Sequence, residues 1–194
     1  QSTALTAHTT PEFSEFIQSQ GPGEHHLYIN RQKRSGVEGG RSQALEQFQE
    51  KPDIREQLTL ITLAADGDLY NQAHGFSEDC DIATLKESFI SELMHNHEGF
   101  YFPDKLKEQL GGNDDFAAFL GGAFDQAREE LGIASEVPLA QTQRRAILFH
   151  FLNKTLVESL VDSVHATTYN NTCKDDIDRG GMANAYMYAI NHRP

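Results

Sequence analysis

Cys173 and Arg179 flank five residues: Lys174, Asp175, Asp176, Ile177 and Asp178. A thiolate is a strong nucleophile, and a nearby helix N-terminus favours the ionised form of a cysteine. A guanidinium grips two oxygens of one phosphate. Set at the two ends of a loop that leads into a helix, the pair suits phosphoryl transfer: sulfur attacks phosphorus, and water then removes the phosphoryl group. The flanks supply such a context. Residues 164–169 contain β-branched residues and read as a strand, Asn170, Asn171 and Thr172 lead out of it, and Gly180 and Gly181 precede a helical stretch at 182–191. The cysteine thus falls between a strand and a helix.

The stretch 173–179 resembles the loop of Sac-type phosphoinositide phosphatases, C-x-D-C-L-D-R-T. It is also similar to the myotubularin loop, C-S-D-G-W-D-R-T. The shared positions are Cys173, Asp175, Asp178 and Arg179, with Ile177 at the apolar place. Lys174 looks like the second residue of the C-K-x-x-x-x-R loops of bacterial effector phosphatases that act on inositol lipids. The resemblance implies a protein-tyrosine-phosphatase-like fold and hydrolysis of phosphomonoesters, with phosphoinositides or inositol phosphates as substrates and no cofactor. It implies Cys173 as nucleophile, Arg179 as phosphate clamp and Asp178 as general acid, with Asp175 second. Asp176, Ile177 and Gly180 would surround the phosphate, and Lys174 would meet a second one. A reducing, cytoplasmic setting follows, or secretion as an effector into a host cytosol. These families carry Thr or Ser after the Arg. Here Gly180 lacks the hydroxyl that helps phosphate leave sulfur, so slow turnover is expected.

Three acids in an anion-binding loop oppose both a thiolate and a bound phosphate. Positive partners must come from elsewhere. Arg31, Lys33, Arg34 and Arg41 are the dense source and are expected to face the pocket, a solvated surface being the plain alternative. Asp66 and Asp68 follow the most apolar strand and form an alternative acid loop of the kind protein tyrosine phosphatases use, although a simple turn suits them better. Two rival functions stay open. One is a protein tyrosine or dual-specificity phosphatase. The other is a non-enzymatic helical interaction module or phosphate-binding pseudoenzyme.

The formal net charge of -13 argues against nucleic acid and against an anionic membrane surface. The partner expected is a phosphorylated small molecule or lipid head group. No apolar run approaches the ~20 residues needed to span a bilayer. Gln1 opens the chain without Met or a signal pattern, which leaves any targeting segment out of sight. Cys80 and Cys173 read as free thiols, a disulfide between them being the alternative. No metal is expected: His95 and His97 point to different faces of a helix, and His25, His26 and His165 have no ligand spacing.

The elements follow from periodicity. A single domain is expected over residues 1–194, with 1–10 a loose tail and 82–161 a helical layer or insertion. Strands are predicted at 25–31 and 58–64, and helices at 11–18, 41–49, 82–97, 113–131 and 138–161. The glycines of 35–40 predict a loop. The class is α/β, a small central sheet with many helices, in which the strand before Cys173 is central and the phosphate loop lies at its carboxyl end.

Overall fold

The structure, a computed structural model, describes residues 9–65, 80–96, 99–134, 138–173 and 178–192. It begins with helix α1 (Pro11–Gln18), which Thr10 caps through a hydrogen bond from the Phe13 amide, with proline at the first helical position. Strand β1 (His26–Asn30), helix α2 (Gly36–Gln49) and strand β2 (Leu58–Leu63) follow. Next come α3 (Ile82–Met94), capped by Asp81, the short strand β3 (Phe100–Tyr101), α4 (Asp104–Gln109) and α5 (Asn113–Glu130). Helix α6 (Gln141–His150) continues through a π-helical turn (Phe151–Thr155) into α7 (Leu156–Ser163). Strand β4 (Thr168–Thr172) and helix α8 (Arg179–Asn191) close the chain.

Among the described residues the sheet is mixed and four-stranded, in the order β3-β2-β1-β4. β1 runs parallel to β2 and to β4, and β3 is antiparallel to β2. All six residues of β2 are buried, as a strand covered on both faces requires. On one face Leu27, Ile29, Ile61 and Leu63 join the large core with Phe89, Phe124 and Phe151. On the other, Leu58 packs with Ile17, Phe48 and Ile54, and Phe13 stands edge-on to Tyr28. Helices therefore cover both faces, the layered arrangement that buries both sides of a mostly parallel sheet.

Four expectations need correction. The strand before Cys173 is an edge strand, not a central one. Thr168 and Tyr169 are exposed on it, which suits an edge. It also spans 168–172, not 164–169, because buried Val164 ends α7 and His165 turns the chain with a positive φ of 52°. The glycine run at 35–40 is not a loop throughout, since α2 begins at Gly36. A Cβ on Gly39 would sit 2.5 Å from the Arg34 carbonyl oxygen, so that glycine lets the first helical turn press on the preceding chain. The helix predicted at 138–161 runs from Gln141 to Ser163 and is interrupted by the π turn. There buried Asn153 donates to the Phe149 carbonyl and so competes for a group of its own helical ladder, while Thr155 donates across to the Ala123 carbonyl of α5.

Candidate functional site at the carboxyl edge of the sheet

β1, β2 and β4 end together. The Arg31 amide donates to the Thr172 carbonyl at 2.8 Å, and the Ala65 amide donates to the Arg31 carbonyl at 3.3 Å. This is the edge at which open α/β sheets hold ligands. Cys173 lies there, one residue beyond β4, and is 7% exposed. Its thiol donates to Asp178 Oδ1 at 3.1 Å. The same carboxylate accepts the Arg179 amide at 2.7 Å and so caps α8. The thiol, and then the amide, hold the Asp178 carboxyl below its ordinary range. Lys174, Asp175, Asp176 and Ile177 lie outside the described residues, as do Asp66 and Asp68.

Arg179 is the first residue of α8, and its guanidinium is already engaged. It makes a fork with Glu38 of α2, Nη2 to Oε1 at 2.7 Å and Nη1 to Oε2 at 3.0 Å. The Arg179 hydrogen bond is the main reason the Glu38 carboxyl is held low, and the charge of Arg41 adds to it. The Lys33 amide also donates to Glu38. α2 is set in place by Ser42, which accepts from Asn30 and donates to the Lys33 carbonyl. Gly180 is buried in the first turn of α8.

The predicted cationic cluster divides. Arg31 is fully buried. Its Nε and Nη2 donate to Asn171 Oδ1 at 3.0 and 2.7 Å, and both terminal nitrogens reach the Leu152 carbonyl. Asn171 in turn donates to Asn184 of α8 at 3.0 Å. Arg31 therefore fixes β4 and α8, the two elements on either side of the 174–177 segment. Arg34 is held by Glu46 at 2.6 Å and by the Asn96 carbonyl, with its guanidinium over the Tyr101 ring. Burial, then Glu46, pushes the Tyr101 hydroxyl up to about 12. Lys33 is half-buried and Arg41 exposed, and neither side chain has an ion-pair partner among the described residues.

Sequence reasoning missed Glu38, whose partner is 141 residues away. It also missed Gln32 and Thr172. Their side-chain oxygens are buried at this edge without a hydrogen-bond partner among the described residues. A buried polar atom left in that state costs about 1–3 kcal/mol. Neither Cys80 nor Cys173 is in a disulfide. Among the described residues no three His, Cys, Asp or Glu side chains gather as a metal site, and no helix is long and apolar enough to cross a membrane.

Comparison with protein-family models, with curated proteins and with solved structures finds no match to this chain.

Proposed function

We propose that this chain is a cysteine-dependent phosphomonoester hydrolase acting on phosphoinositides or inositol phosphates. The observation that carries the reading is the hydrogen bond from the Cys173 thiol to Asp178, made beside a helix whose first residue is Arg179. On this reading β4 and α8 are the strand and helix of a protein-tyrosine-phosphatase-like phosphate loop.

The reaction uses the shared proton twice. The thiol passes its proton to the Asp178 carboxylate, and the thiolate attacks phosphorus. As the sulfur–phosphorus bond forms, the bond from phosphorus to the leaving oxygen breaks, and Asp178 gives that oxygen its proton. Water then attacks the thiophosphate, Asp178 takes one of its protons, and phosphate leaves as the thiolate is restored. Arg179, oriented by Glu38, receives the equatorial oxygens and stabilises the charge that builds there. Glu38 neutralises Arg179 in the absence of substrate and must yield part of the fork when phosphate arrives. The buried oxygens of Gln32 and Thr172 offer further contacts to the substrate or to the attacking water. Lys33, Arg41 and Lys174 are the cations left to meet additional ring phosphates.

The test compares phosphate release from inositol lipids, soluble inositol phosphates and phosphotyrosine peptides by wild type and Cys173→Ser. Release from the inositol substrates that Cys173→Ser abolishes is expected. Preference for phosphotyrosine would move the substrate class. No release from any of them would overturn the enzyme reading and leave the non-enzymatic one, a helical interaction module or a phosphate-binding pseudoenzyme.

A further inference from the structure

On the face of the molecule formed by α6, α8 and the end of α5 lies a cavity of about 410 Å³. It is large enough for a small molecule. Leu131, Leu148 and Phe149 give it apolar walls, and Thr142, Arg145 and Tyr186 supply the polar groups. Phe149 stands edge-on to the Tyr186 ring at 4.9 Å, which leaves an aromatic-lined space.

Tyr186 does not stand alone. Its hydroxyl is hydrogen-bonded to His150 Nδ1. His150 is 3% exposed, and its Nε2 lies 2.8 Å from Glu130 Oε2. Glu130 is held in turn by Lys154 at 3.0 Å and by Gln126 at 2.9 Å. Burial pushes the Glu130 carboxyl up, but hydrogen bonds from His150, Gln126 and Lys154 outweigh it and hold the group at about 2. Glu130 is therefore a carboxylate at neutral pH. An imidazole nitrogen facing a carboxylate carries the proton, so in the neutral ring Nδ1 is the acceptor and Tyr186 the donor. A phenol that donates to Nδ1 is an acceptor for a group approaching from the cavity. Arg145 is exposed beside it and has no ion-pair or hydrogen-bond partner among the described residues.

We propose that this cavity is a second binding site, independent of Cys173, for a small hydroxyaryl carboxylate. The ring lies along Phe149 and Leu131, the carboxylate meets Arg145, and the ring hydroxyl donates to the Tyr186 oxygen that His150 and Glu130 hold in place.

The probes are 4-hydroxyphenylacetate and phenylacetate, titrated into the full chain and followed by calorimetry and by amide shifts at Arg145, Phe149 and Tyr186. Saturable binding of both is expected, several-fold tighter for the hydroxylated probe. That preference is expected to vanish in Tyr186→Phe. Arg145→Gln, at an exposed position, is expected to weaken both probes about tenfold or more, as loss of a charge-assisted contact does. Thr142→Trp, also at an exposed position, is expected to fill the space and block both while leaving the fold intact. Cys173→Ser is expected to bind them as wild type does, which keeps this result apart from the phosphatase reading. Equal affinity for the two probes, binding unchanged by Arg145→Gln or by Thr142→Trp, or no saturable binding of either would overturn the proposal.

Discussion

At Cys173 and Asp178 one proton lies between a thiol and a carboxylate 3.1 Å apart. In the proposed reaction the carboxylate matters most when the leaving alcohol is a poor one and needs a proton. Asp178→Asn is thus expected to lower release from an inositol phosphate about 100-fold or more, and release from an aryl phosphate with an acidic phenol far less. Cys173 in that variant should react with iodoacetamide at least as fast, because a negative charge beside the sulfur is gone. Equal losses on both substrates would rule out the acid role. The five-residue spacing of Cys173 and Arg179 and the helix that follows them were legible in the sequence. Glu38 was not, since no local pattern reports a partner brought in by another helix. The residue type of Arg31 suggested a substrate contact, but its place just past β1 buries it against Asn171 and Leu152.

Helix α2 reaches Arg179 through a first turn in which Gly39 lies close against the preceding chain. A Cβ there meets the Arg34 carbonyl oxygen at 2.5 Å, and backbone cannot step aside as the end of a side chain can. Gly39→Ala is expected to cost about 1–3 kcal/mol in urea denaturation, the usual range for forced overpacking. It should also displace Glu38 and so weaken phosphate release more than it weakens stability. A variant with wild-type stability and activity would show that the approach is not needed. β2 was plain from its apolar run, whereas β4 was misread. Its residues Thr168 to Thr172 are polar, and what makes them a strand is pairing with β1, which no local pattern reports. The π turn at Phe151–Thr155 was equally silent, because no local pattern reports it.

For the whole molecule, the α/β class was legible from alternating apolar segments, but the order of strands was not. β4 lies at the edge because, among the described residues, it pairs only with β1. His26, beside β4, links the two strands through Thr168 and Asn170 and packs against Phe16. Burial lowers its pKa and that of His25 below the ordinary value of 6.5. The unfolded chain therefore binds protons first. The stability these groups contribute is complete above pH 6.5 and is lost as pH falls from there through the folded values. His26→Gln is expected to flatten that part of the fall in melting temperature between neutral pH and about pH 5.5. The same slope in wild type and variant would contradict it. Glu130, held at about 2, adds a second loss at lower pH, beginning below its ordinary 4.5.

The covalent intermediate is the most direct test of the proposed function. Wild-type protein mixed with a soluble inositol phosphate and quenched in acid within one turnover would be digested and its peptides weighed. A phosphoryl group on the peptide that contains Cys173, absent in Cys173→Ser and longer-lived in Asp178→Asn, is the expected result. Phosphate released with no such adduct, or equally in Cys173→Ser, would contradict it.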